Sequence, residues 1–121
     1  MLLSINPQHV ENILLGTKKY EFRKVESRRP VEKILIYSTA PVGMVVGEAE
    51  VLGTVVGTPD EVWARTHRYS GITREFFDGY YDGRGRAIAY ELGEIEAYEH
   101  PKRLIDFGVK CAPQSFVYLA S

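Results

Sequence analysis

The sequence predicts an α+β domain made mainly of β-structure: a small, mostly antiparallel β-barrel with helices packed on its outside. Three observations lead there. Segments with strand chemistry outnumber those with helical periodicity. The helical segments fall in connections and do not alternate regularly with strands, as a parallel sheet would require. Glycines also interrupt the long strand-like runs at points where a barrel strand bulges or bends. A length of 121 residues fits one domain over 1–121. That is enough chain to bury a core without metal or disulfide staples.

Leu2 to Ile5 reads as a short strand. Asn6-Pro7 then supplies an N-cap followed by proline at the first helical position. Val10, Ile13 and Leu14 recur at helical spacing, and Gly16 provides the stop. From Lys19 to Lys24 the pattern alternates, with Tyr20 and Phe22 on one face and Glu21 and Arg23 on the other, which predicts a half-buried strand. A polar loop follows, and then Lys33 to Ser38 is a strand rich in β-branched residues. Thr39 to Gly43 turns at Pro41.

Met44 to Val56 reads as one long strand or a bent pair, with Gly47 and Gly53 at the bends. Thr58 and Glu61 form a capping-box pairing ahead of a helix from Pro59 to about Thr66. Thr73 opens another helix that carries Phe76, Phe77 and Tyr80 and ends near Gly83. Ala87 to Tyr98 is a second long strand with Gly93 as its bulge. The segment from Pro101 to Gly108 reads as a short helical turn, and Ser115 to Leu119 as a closing strand.

Composition is that of a globular protein, with 45% hydrophobic and 26% charged residues. A formal net charge of −1 excludes a generic polyanion binder. The distribution is less neutral than the total. Between Lys18 and Lys33 there are seven basic residues (18, 19, 23, 24, 28, 29, 33) against Glu21, Glu26 and Glu32, leaving +4. Such a patch suits contact with a few phosphates, and equally suits a solvated charged loop. The single cysteine, Cys111, cannot form an internal disulfide, and one Cys with three scattered His (9, 67, 100) makes no zinc pattern. No metal or cofactor is expected. The N-terminus lacks the basic and long apolar regions of a signal peptide, and no apolar run reaches the length of a membrane span, so a cytoplasmic protein with no membrane contact is expected.

The chemistry concentrates in Gly16-Thr17-Lys18-Lys19-Tyr20-Glu21-Phe22-Arg23. Glu21 and Arg23 lie two apart on a strand and therefore point to the same face. Lys18 sits at the helix–strand junction, where it can lean over that face. The Arg fork can hold a phosphate or stack on a base, the Glu can accept from an exocyclic amino group, and the Lys can meet a phosphate or give up a proton. A structural Glu–Arg or Glu–Lys pair is the plainer alternative. Other candidates for an RNA or nucleotide contact are Lys19 and Lys24 beside the motif, Tyr37, Ser38 and Thr39 at a strand end, Arg84 and Arg86 in a basic turn, and Gln114 before the last strand. Each also has a plainer reading, as a core aromatic, a solvated turn or a strand entry. The cluster Phe76, Phe77, Tyr80 and Tyr81 and the lone Trp63 read as packing against the barrel, and Cys111 as inert.

The same segment resembles the G-x-K-x-x-E-x-R signature of the ASCH superfamily at all four defined positions, in the matching context of a glycine-ended helix followed by a strand. The following strands, "KILIYST" and "VVGEAEV", and the closing "PQSFVYL" extend the resemblance over nearly the whole chain. It implies a PUA-like barrel whose cleft binds RNA or a nucleotide, in RNA metabolism or transcription-linked regulation, with protein partners in transcription complexes for some members. Other members are hydrolases, acting on RNA or on the acetamide of N4-acetylcytidine, and Lys18 and Glu21 would then be the reacting pair. Members with the second activity carry threonine where this chain has Glu21, which puts that activity in doubt. Their second acid has only Glu61 and Glu75 as candidate counterparts.

Overall fold

A computed structural model describes residues 1–119. Eleven strand or helical segments appear, in the expected order apart from one additional 3-10 turn, and their ends show why the sequence makes them. β1 (Leu2–Ile5) leads into α1 (Pro7–Leu15), where the Asn6 side chain accepts from the Gln8 backbone N–H at 2.9 Å. Gly16 ends α1 at φ +86°, the left-handed cap that glycine adopts without strain. β2 (Tyr20–Arg23), β3 (Lys33–Ser38) and β4 (Met44–Gly57) follow. α2 (Pro59–Thr66) carries the full capping box: Thr58 Oγ1 accepts from the Glu61 N–H, and the Glu61 carboxylate accepts from the Thr58 N–H at 3.1 Å. A 3-10 turn (His67–Tyr69) precedes α3 (Arg74–Tyr80), capped by Thr73. β5 (Ala87–Lys102), a 3-10 turn (Leu104–Phe107) and β6 (Phe116–Val117) complete the described chain.

The six strands form one curled sheet in the order β2-β5-β4-β3-β1-β6. Every pairing is antiparallel except β1 with β3, which are parallel because the chain passes through α1 and β2 between them. The sheet is thus a mostly antiparallel half-barrel, with β2 and β6 at its edges. β4 and β5 form the long ribbon at its centre, and the register slips at Gly47 and Gly53 let that ribbon curl. β5 runs four residues further than the sequence predicts and includes Pro101. Proline is tolerated there because β2 pairs only with Ile88 to Glu91, so beyond Glu91 one edge of β5 has no ladder to feed.

The two faces of the sheet carry separate cores. Leu3, Ile13, Ile36, Ile88 and Tyr90 pack under α1 on one side. Phe22, Val55, Val62, Phe77 and Tyr81 pack beneath α2 and α3 on the other. These two helices clamp β2 from its Phe22 side, leaving Glu21 and Arg23 to face α1 across the open seam of the sheet.

The tightest packing constraint lies in the central ribbon. A Cβ placed on Gly47 would sit 2.5 Å from the Glu96 carbonyl oxygen, whereas one on Gly53 meets nothing within 4 Å. Gly47→Ala is therefore expected to destabilise the fold by about 1–3 kcal/mol and to lower the melting temperature by several degrees. Gly53→Ala should stay close to the parent protein. Thermal melts of the two variants side by side check this.

Candidate functional site

A cleft of about 160 Å³ opens where the edge strand β2 faces the start of α1. Ser4 and Ile5 at the end of β1, Asn6 and His9 on the first turn of α1, and Lys18, Glu21, Phe22 and Arg23 form its floor and one wall. Ile72, Phe76 and Tyr80, from the loop before α3 and from α3 itself, form the other wall. The volume is below the roughly 300 Å³ at which drug-sized pockets begin. It suits one base, sugar or phosphate of a larger molecule.

The motif residues converge here. The Arg23 guanidinium meets Glu21 at 2.9 Å, with both side chains about nine-tenths buried. Its Nη2 also donates to the Ser4 carbonyl at 2.9 Å and its Nη1 to Ser115 Oγ at 3.2 Å. The fork expected to grip a ligand is therefore largely engaged within the protein, holding β2 to β1 and to the segment entering β6. Lys18 is 2% exposed, and its ammonium donates to the Ser70 carbonyl at 2.8 Å and lies 4.7 Å from the centre of the Phe22 ring. Its stem crosses Gly71, which has φ +70° and where any Cβ would come within 2.6 Å of the Lys18 Cβ. Gly71 thus fixes the lysine by both its conformation and its lack of a side chain.

Electrostatics follow from this burial. Desolvation lowers the Lys18 pKa, Arg23 lowers it further, and Glu21 opposes both. His9 is also held below its ordinary value, by burial first and then by Lys18 and Arg23, against the pull of Glu21. With His9 neutral, the two cations and one carboxylate leave the cleft with a charge of +1, which favours an anion. Among the described residues, two buried side-chain polar atoms lack a hydrogen-bond partner, His9 Nδ1 and Arg23 Nε, and both belong to this cleft. Both atoms are sealed from solvent, so they are a local cost of building the cleft.

The remaining sequence candidates are dispersed. Lys19 reaches over Tyr69, 4.4 Å from the ring centre, and lines a separate depression with Leu52 and Glu91. Lys24 lies over Tyr80, 4.7 Å from the ring centre, at the mouth of the cleft. Tyr37 and Ser38 are buried, Tyr37 in a third apolar cluster with Leu2 and Val45, and Thr39 turns away after donating its N–H to the Ile5 carbonyl. None of these three lines the cleft. Arg84 is exposed just after α3, while Arg86 pairs with Glu26 at 2.6 Å. Gln114 is exposed, Glu61 is committed to the α2 cap, and Glu75 lies on the exposed first turn of α3.

Several contributors escape sequence reading. His9 shows no triad spacing, and only the fold brings the first turn of α1 against β2. The aromatic cluster on α3 divides: Phe77 and Tyr81 are core, as expected, but Phe76 is half-exposed against the edge of His9 (ring centres 5.3 Å apart) and Tyr80 lines the cleft. Helical spacing puts Phe76 and Tyr80 four apart on one face, a signal that was available. Ser70 and Gly71 carry no motif at all.

No protein-family model matches the chain. An ASCH domain-containing ribonuclease of Zymomonas mobilis subsp. mobilis is 30% identical over 138 residues, covering 99% of this chain and 91% of the relative. The crystal structure of ASCH from Zymomonas mobilis superposes with a TM-score of 0.89 at 27% identity, covering 98% of this chain and 86% of that one. In Ureaplasma parvum serovar 3 the ATP synthase subunit alpha is 32% identical over 98% of this chain, and the large ribosomal subunit protein uL22 is 27% identical over the same share. The chain spans only 15% and 39% of those two proteins.

The depressed His9 pKa has a definite stability consequence. The unfolded chain takes up this proton near the ordinary value of 6.5, before the folded chain does. Stability is therefore present above pH 6.5 and is lost as pH falls through the folded-state value. The imidazole resonances of His9 should titrate with a midpoint below 6.5, and His9→Gln should flatten the loss of stability across that window. A midpoint at or above 6.5 would contradict the burial argument.

Proposed function

The chain belongs to the ASCH domain family, and from that premise we propose that its cleft binds one nucleotide of a single-stranded RNA. The observation that carries this reading is a net-positive cleft lined by Lys18, Glu21 and Arg23 and walled by the partly exposed aromatics Phe76 and Tyr80. A nucleotide matches each element. Its phosphate answers the positive charge, its base has a π-face for Phe76, and its polar edges can meet the donors that Lys18 keeps.

Within that site the roles differ. Lys18 supplies the charge, since its ammonium spends one hydrogen bond on Ser70 and keeps two donors. Glu21 and Arg23 act first on each other, and their shared burial keeps the seam and the cleft in shape. The relative matched over nearly its whole length supports RNA as the ligand class, being named a ribonuclease. A role in transcription-linked regulation, and protein partners there, rest on the family resemblance alone.

The test uses Lys18→Met, which keeps the apolar stem against Gly71 and Phe22 while removing the charge. Affinity for single-stranded RNA should fall at least tenfold at low salt with circular dichroism unchanged. An unchanged affinity in a folded variant would remove the cleft from RNA recognition.

A second reading, hydrolysis of the bound RNA, is favoured by the match to a ribonuclease over almost the whole chain. Glu21 is engaged by Arg23, so the group placed to take a proton is the neutral His9. In this reading His9 accepts the 2′-hydroxyl proton and the 2′-oxygen attacks the adjacent phosphorus. The bond from phosphorus to the 5′-oxygen breaks, and that oxygen takes a proton from Lys18 or water. Lys18 meanwhile offsets charge on the phosphoryl oxygens. Acetamide hydrolysis gains no such support, because position 21 offers a carboxylate in place of a hydroxyl nucleophile. The expected products are a 2′,3′-cyclic phosphate and a 5′-hydroxyl, with turnover lowered at least 100-fold by His9→Ala and RNA affinity changed little. Mass spectrometry of the products, with a 2′-deoxy substitution at the scissile nucleotide as control, decides it; cleavage of the deoxy substrate would rule this route out.

A further inference from the structure

Tyr80 forms part of one wall of the cleft, and two exposed basic residues act on it, Lys24 by lying on its ring and Arg84, four residues on, by a charge felt at its hydroxyl. Lys24 leaves the end of β2 and lays its ammonium 4.7 Å from the centre of the Tyr80 ring. Arg84 follows α3 by one turn, held there by its N–H to the Tyr81 carbonyl at 2.9 Å. Both side chains are exposed, and among the described residues neither takes part in an ion pair. The neighbouring arginines differ on this point, Arg86 being paired with Glu26 and Arg74 with Asp60 and Asp78. The Tyr80 ring is itself fixed. Its hydroxyl donates to the Phe22 carbonyl at 3.3 Å, and its edge packs on Tyr81 with ring centres 4.8 Å apart.

We propose that the cleft continues into a second nucleotide subsite at Tyr80, with Lys24 and Arg84 as its phosphate contacts, so that the ligand is a strand leaving the cleft and not a free nucleotide. This rests on the reading of the cleft as an RNA site. A rigid aromatic face beside uncompensated cations is the arrangement by which single strands are held without sequence choice. The Lys24 ammonium now covers the ring face. A flexible exposed lysine can swing to a phosphate when a base stacks in its place, so it holds the platform without blocking it. Arg84 approaches from the other element and can contact the same phosphate or the next. The cleft alone holds only part of a larger molecule, and Tyr80 carries the path outward from it. The charge of the phosphate linking the two units would then lie between Lys18 inside and Lys24 outside.

The experiment measures the affinity of the full chain for cleavage-resistant 2′-fluoro oligoadenylates of one, two and six nucleotides. The set is repeated with Lys24→Ala/Arg84→Ala and with Lys18→Met. The affinity should rise at least tenfold from one nucleotide to two. The double variant should abolish that gain while leaving the mononucleotide affinity unchanged, and should reduce the salt slope for the six-mer by about one (roughly 0.7 for each phosphate released on a single strand). Equal affinities for one and two nucleotides, or a gain that survives the double variant, overturns the second subsite and leaves the cleft reading intact. Mononucleotide binding indifferent to Lys18→Met overturns the cleft reading itself, and the subsite with it. Tyr80→Phe, which keeps the stacking face, should preserve the gain; its loss there would also count against a stacking platform.

Discussion

The buried ion pair between Glu21 and Arg23 ties the seam of the sheet to the chemistry of the cleft. A curled sheet of six strands has two edges, and here they approach each other without a backbone ladder. The Arg23 side chain spans that gap, reaching Ser4 on β1 and Ser115 ahead of β6. Glu21 supplies the counter-charge that lets a guanidinium remain there. Removing one partner of such a pair leaves an unmatched buried charge, a loss of about 3–5 kcal/mol. Tyr118 reinforces the same seam, its hydroxyl hydrogen-bonded to Ser27 Oγ at 2.6 Å and accepting the N–H groups of Arg28 and Arg29. The closure is thus made by side chains and the loop after β2, which leaves room for a cleft where a closed barrel would have a ladder.

That closure determines which charge is available to a ligand. Arg23 is the more obvious anion receptor by residue type, yet it is spent within the protein on two hydrogen bonds and the ion pair with Glu21. Lys18, buried and joined to a single carbonyl, keeps two donors, and burial disfavours its charged form. Gly71 and Ser70 position it from the loop before α3, and the same loop and helix bring Phe76 and Tyr80 to the cleft. Polar groups left unpaired at a site are a local cost to stability, offset by the two apolar cores on either side of the sheet.

Charge is sorted across the molecule in a way that the net value hides. The outer ribbon of β4 and β5 presents Glu48, Glu50, Glu94 and Glu96 together with Glu32, opposed by Lys33, which pairs with Glu48 at 2.7 Å. The basic residues gather at the seam and at the mouth of the cleft. A polyanion is repelled by one side and drawn to the other, so orientation is selected before contact, within the screening length of about 8–10 Å at physiological salt.

Local rules were enough for most of the fold. Asn6-Pro7, Gly16, and the Thr58–Glu61 box fix helix ends through contacts within four residues, and the alternation of Glu21 and Arg23 fixes a shared face. These are short-range consequences of backbone geometry, so the sequence alone determined the elements, their order and the motif at the heart of the cleft. The end of β5 was misplaced because Pro101 reads as a strand breaker until its edge is known to be unpaired. Tertiary structure alone decided that Arg23 would be spent on the seam, that Tyr37 and Ser38 would be buried away from the cleft, and that His9, Gly71 and Tyr80 would join Lys18. Those outcomes depend on how a curled sheet brings the start of α1 and the end of α3 to one strand edge. Such distances are set by the packing of whole elements, and no local pattern encodes them.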